Sequence, residues 1–151
     1  TGTDKTRKDS TDLQVEPVDH NGEIPPPIHA YLESLNSCYQ DYLEQWPIVN
    51  SLGTLNVGSF NIQKYASGGH FQRLHSERTT LSSSHRVLAF MTYLNTLTDE
   101  GETVFEYYGI KVTPKEGLTL IWPAEWTHAH IGSVVKTTKY IITGWFHFPP
   151  T

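Results

Sequence analysis

"VGSFNIQKYASGGHFQRLHSER", residues 57–78, opens on β-branched and aromatic side chains, bends at Gly68 and Gly69, and then sets His70, His75 and Glu77 within eight positions. Such side chains pack well on a pleated surface, and paired glycines supply the backbone freedom of a bend. The same texture recurs in "RVLAFMTYL" (86–94), "GIKV" (109–112), "LTLIW" (118–122) and "KYIITGWFHF" (139–148). Between these runs lie stretches such as "TDEGE" (98–102) and "TPKEG" (113–117), whose Gly and Pro suit turns. Short strands at close spacing, with no helical pattern among them, predict an antiparallel sandwich or barrel.

Upstream the period changes. In "PPPIHAYLESLNSCYQDYLEQWP" (25–47), Ile28, Tyr31, Leu32, Leu35, Tyr39, Tyr42, Leu43 and Trp46 fall on one helical face. Prolines 25 to 27 suit a helix start and Pro47 a stop, which predicts one flanking helix. Residues 1–12 are charged and hydroxyl-rich with almost nothing to bury, and read as a mobile arm or loop.

A chain of 151 residues with 37% hydrophobic and 18% charged residues suits one domain over 1–151, with a β core spanning about 57–148. The formal net charge of −5 and scattered Lys and Arg give no basic stripe, so nucleic acid is not an expected partner. Cys38 is the only cysteine, which excludes an intramolecular disulfide and a Cys-based zinc site. No apolar run approaches the roughly 20 residues of a membrane span, and the polar start is not a signal peptide. The expectation is a cytoplasmic protein with no membrane partner.

His75 and Glu77 stand at i and i+2, and on a strand they would aim at one point. Two histidines and a carboxylate bound to one face of iron leave open positions for oxygen activation. A third ligand could come from "AEWTHAHIG" (124–132), which offers both His128 and His130. Lys139 is a single cation opening a strongly apolar strand, where an unpaired charge is costly to bury. A dicarboxylate that chelates a metal at one end and meets a cation at the other would suit both features.

In "YASGGHFQRLHSE", "RVLAFMTYLN", "DEGETVFEYYGIKVTPKEGLTLIWPAEWTHAHIG" and "KYIITGW" the chain resembles the iron(II) and 2-oxoglutarate dependent dioxygenases, in particular their prolyl 4-hydroxylase-like branch. The resemblance implies a double-stranded β-helix, a cupin-like jelly roll, mainly β with a flanking helix. It makes His75, Glu77 and His130 the iron ligands, His130 being preferred to His128 because Ile131-Gly132 follow it and Lys139 lies nine residues on. Lys139 would then meet the distal carboxylate of 2-oxoglutarate, with Tyr65, Tyr93, Thr143 and Trp145 as further cosubstrate contacts. Fe(II), 2-oxoglutarate and O2 are the implied cofactors, and ascorbate could serve as reductant. The family more often has His-x-Asp. The Glu77 carboxylate still argues against the small residue by which halogenating relatives admit chloride, so hydroxylation is the expected outcome. The substrate implied is a prolyl residue of a peptide, with a free amino acid or other small metabolite as the alternative. A non-catalytic metal-binding β-helix module is the reading from another class, and the resemblance also suggests that "TRKDS" (6–10) closes over substrate.

Four histidines, 20, 29, 85 and 147, have no partner pattern, and His70 reads as structural or solvent-facing. Asp99, Glu100 and Glu102 read as a solvated turn, Tyr107 and Tyr108 as packing or surface, and Arg86 as a substrate contact or a carboxylate partner.

Overall fold

The computed structural model describes residues 4–151. It contains two antiparallel sheets and one long helix, arranged as a double-stranded β-helix. The larger sheet runs β1 (Thr11–Val15), β3 (Phe60–Tyr65), β10 (Lys139–His147), β5 (Arg86–Tyr93), β8 (Thr119–Pro123), with β2 (Asn56–Val57) paired to the far part of β10. The smaller runs β4 (Phe71–His75), β9 (His130–Gly132), β6 (Thr103–Phe105), β7 (Ile110–Val112).

Alternation along β5 builds two cores at once. Ala89, Met91 and Tyr93 point between the sheets, where they meet Tyr65, Phe105, Trp122 and Ile141. Leu88 and Phe90 point the other way, onto Phe60, Ile142, Phe146 and the helix. A strand covered on both faces reads as a continuous apolar run, as "VLAFM" does. The helix α1 (Pro26–Gln45) starts at the prolines and stops before Pro47 as expected. Its apolar face lies on the larger sheet, and the Tyr31 hydroxyl bonds that of Thr92 at 2.9 Å. Trp46 leaves this face, being 55% exposed where it caps the helix end. Among the described residues no helix is long and apolar enough to cross a membrane.

Of the segment read as an arm or loop over 1–12, residues 1–3 lie outside the described residues. Asp9 exchanges backbone hydrogen bonds with His70, and Thr11 and Asp12 begin β1 on the edge of the larger sheet. The segment thus crosses from one sheet to the other, satisfying its backbone groups on both, something that composition does not reveal.

Candidate active site

The strand that should carry both His75 and Glu77 ends at His75. Glu77 lies beyond it, its backbone N–H donating to the Ala124 carbonyl at 3.2 Å. The two side chains still converge, because β9 pairs with β4 so that His130 stands opposite His75. Glu77 Oε1 lies 3.3 Å from His130 Nε2 and 3.6 Å from His75 Nε2. One candidate ligand atom from each of the three lies within 4.8 Å of the others.

The imidazoles are oriented from behind. His75 Nδ1 sits 2.8 Å from the Arg73 carbonyl, and His130 Nδ1 sits 2.9 Å from the His128 carbonyl. A carbonyl only accepts, so each Nδ1 is the donor and each Nε2 of a neutral ring presents its lone pair to the centre. Burial, helped by His130, lowers the His75 pKa to about 4. Burial would raise that of Glu77, but the facing imidazoles and the Trp145 indole outweigh it and bring it down to about 2. Two imidazole Nε2 atoms converging on one carboxylate are a donor set that fits a divalent cation.

Trp145 Nε1 donates to Glu77 Oε2 at 2.8 Å, leaving Oε1 to the centre. Arg86 lies 3.7 Å over the Trp145 ring and donates to the Glu77 backbone carbonyl at 2.9 Å, a bond to the main chain and not to a side-chain carboxylate. His128 stays outside the cluster, with Nδ1 on the Thr127 hydroxyl and its ring 4.9 Å from that of Tyr108.

The three side chains open onto a cavity of about 270 Å³ between the sheets. Lys139, Ile141, Thr143 and Trp145 alternate along β10 and line one wall; Asn61, Gln63 and Tyr65 do the same on β3. Lys139 is 2% exposed. Its ammonium donates to the Gly101 carbonyl at 2.9 Å and rests 4.7 Å over the Tyr65 ring. Among the described residues no carboxylate lies within ion-pair distance of it, and burial lowers its pKa to about 8, against a weaker upward pull from Glu102. An anion entering the cavity would supply the charge this lysine lacks.

Two expectations need correction. Tyr93 does not line the cavity: it is fully buried behind it, its hydroxyl 2.6 Å from that of Thr103. The turn at 99–102 is not simply solvated either. Glu100 is buried and accepts from the backbone N–H groups of Lys136 and Thr137 and from the Thr137 hydroxyl, while Glu102 accepts from Ser133. These bonds tie the loop before β6 to the loop before β10, which places the Gly101 carbonyl on Lys139. Gln63, Met91 and Thr103 line the cavity without having been anticipated. Gln63 had a signal, as a polar residue two positions before Tyr65 on one strand face.

The model of the family described as "2OG-Fe(II) oxygenase superfamily" matches residues 60–147. The chain belongs to this superfamily. It is a 2-oxoglutarate-dependent oxygenase, whose cofactors are Fe(II), 2-oxoglutarate and O2. Among solved structures, this oxygenase is similar to a prolyl-4-hydroxylase of Pseudomonas putida: 18% identity, TM-score 0.74, 99% of this chain and 78% of that one. A viral collagen prolyl hydroxylase from Paramecium Bursaria Chlorella virus-1, solved with 2-oxoglutarate, gives 17% identity, TM-score 0.68, and coverage of 92% and 78%. A prolyl hydroxylase from Trichoplax adhaerens, in complex with a hypoxia inducible factor peptide fragment, gives 15% identity, TM-score 0.70, and coverage of 96% and 66%. These likenesses bear on the fold. No curated protein matches the chain.

Proposed function

We propose that this oxygenase hydroxylates a prolyl residue of a peptide, with His75, Glu77 and His130 holding the iron and Lys139 receiving the distal carboxylate of 2-oxoglutarate. The observation that carries this reading is a buried lysine without an anionic partner among the described residues, lining the same cavity as two imidazole Nε2 atoms and a carboxylate. Peptide as substrate is supported by the likeness to prolyl hydroxylases, one of them holding a peptide. The lone Cys38 suits a reducing, cytoplasmic setting.

Iron and the cosubstrate supply the oxidation: one oxygen atom of O2 enters succinate as 2-oxoglutarate loses carbon dioxide, and the other enters the substrate C–H bond as hydroxyl. The chain's own residues do the placing. The Arg73 and His128 carbonyls hold the imidazoles in the tautomer that binds metal, and Trp145 orients the Glu77 carboxylate. Tyr65 supports the Lys139 ammonium, and Thr143 lines the adjacent wall with its hydroxyl donated to the Phe90 carbonyl at 3.1 Å. Tyr65, Lys139 and Ile141, all buried, line the part of the cavity shielded from solvent.

The test is succinate formation by iron-loaded protein, compared with His75→Ala and Lys139→Met, in the presence of proline-containing peptides or free proline. Peptide-stimulated turnover, absent from His75→Ala and starved of cosubstrate in Lys139→Met, is the expected result. Stimulation by free proline alone would move the substrate to small metabolites. Iron binding without any succinate would leave a non-catalytic module.

A further inference from the structure

We propose that Gln63 and Asp12 are positioning residues for the buried cation: they brace Tyr65, on whose ring the Lys139 ammonium rests, and so couple the seating of residues 7–12 to 2-oxoglutarate binding. This rests on the reading that Lys139 receives the cosubstrate.

The four residues form two neighbouring cross-strand pairs on the larger sheet, two residues apart along β3. Asp12 stands opposite Gln63 where β1 pairs with β3, and Tyr65 stands opposite Lys139 where β3 pairs with β10. Gln63 and Tyr65, two apart, share the cavity face. The Asp12 carboxylate accepts from Lys8 Nζ at 2.6 Å, from the Ser10 hydroxyl at 2.7 Å and from Gln63 Nε2 at 3.2 Å. A carboxylate cannot donate, so the Gln63 amide has one orientation, with NH₂ toward Asp12 and carbonyl toward Tyr65. That carbonyl accepts the Tyr65 hydroxyl at 3.0 Å. Tyr65 is 3% exposed, and burial with the nearby Asp12 charge keeps its phenol protonated, hence a donor. The ring is therefore held at two points, its backbone and its hydroxyl, with the ammonium 4.7 Å above its face.

Behind Asp12 the chain reaches the iron side. The Arg7 carbonyl accepts from the Arg73 N–H at 3.3 Å, Asp9 pairs with His70, and Lys8 lies 5.3 Å over the Phe71 ring. Residues 7–12 thus seat along one side of the cavity, and their seating reaches Lys139 through Asp12, Gln63 and Tyr65 in turn. If seating strengthens cosubstrate binding by some factor, binding strengthens seating by the same factor.

The experiment uses the Mn(II)-loaded full chain, with 2-oxoglutarate affinity read by calorimetry and tryptic cleavage after Lys5, Arg7 and Lys8 read by mass spectrometry. Gln63→Leu and Tyr65→Phe should each weaken 2-oxoglutarate binding about 3- to 10-fold, the range expected for one lost hydrogen bond. The double variant should be no weaker than either single, because both remove the same brace. 2-Oxoglutarate should slow cleavage in the wild type and leave it unchanged in Gln63→Leu; Asp12→Ala, altered at an exposed strand end, should repeat the affinity loss. Wild-type affinity in Gln63→Leu, additive losses in the double variant, or equal protection from trypsin in both proteins would each overturn the brace. Lys139→Met separates the two readings. Weakened binding there beside an unaffected Gln63→Leu removes the brace alone, whereas unchanged binding in Lys139→Met removes the cosubstrate reading and the brace with it.

Discussion

Lys139→Met should make the cofactor-free protein more stable at pH 7 while abolishing its response to 2-oxoglutarate. Burial lowers the Lys139 pKa from 10.5 to about 8. At about 1.4 kcal/mol for each tenfold, that is a penalty of about 3 kcal/mol for holding the charge in the folded state. Methionine, of similar length, fills the volume without the charge but leaves the Gly101 carbonyl without its donor, which costs about 1 kcal/mol. The expected net gain is about 2 kcal/mol at pH 7. The sign reverses the usual one for a lysine with an anionic partner. The folded pKa is depressed, so between about pH 8 and 10.5 the unfolded chain binds more protons, and wild-type stability rises with pH as the penalty is relieved. The gap between the two proteins should therefore close across that window. Urea denaturation of both proteins at pH 7, 8.5 and 10 reads it directly. With Mn(II) present, 2-oxoglutarate should raise the wild-type midpoint and leave that of the variant in place. A variant less stable than wild type at pH 7, or a gap that does not change with pH, would refute the picture of a charge buried for an absent anion.

Trp145→Phe, which removes the indole donor to Glu77, should weaken metal binding about 10- to 100-fold in a Mn(II) titration, the usual effect of losing a group that orients a ligand. His130→Ala should abolish metal binding and His128→Ala should leave it essentially unchanged, since only His130 joins the cluster; equal losses would mean that the His128 side chain also binds. Gly144→Ala should destabilise the protein by about 1–3 kcal/mol in chemical denaturation, because the added Cβ would lie 2.6 Å from Phe90 Cζ and 2.8 Å from Phe60 Cβ. A neutral outcome would show that the contact between β5, β10 and β3 has slack.

What the residues determine alone is what depends on local periodicity and on the chemistry of single side chains. Two-residue alternation along "KYIITGWFHF" puts Lys139, Thr143 and Trp145 on one face, and helical spacing in 26–45 marks the face that packs on the sheet. The strands that local pattern does not mark are short or polar, β1, β6 and β9, and exist because long-range partners complete their hydrogen bonds. The pairing of β4 with β9 alone brings His130 opposite His75 across 55 residues of chain, and makes a cluster of a Glu77 that is not on the strand. Likewise Asp12 reaches Gln63 only because β1 closes the sheet edge, and Tyr93 drops out of the cavity because the inner layer puts Thr103 in front of its hydroxyl. Side-chain chemistry is carried by the residue itself, and the direction of approach by backbone pairing between distant segments. For that reason the residue types of the candidate site are legible in the sequence of this oxygenase, while the contacts behind its lysine are decided by the tertiary structure.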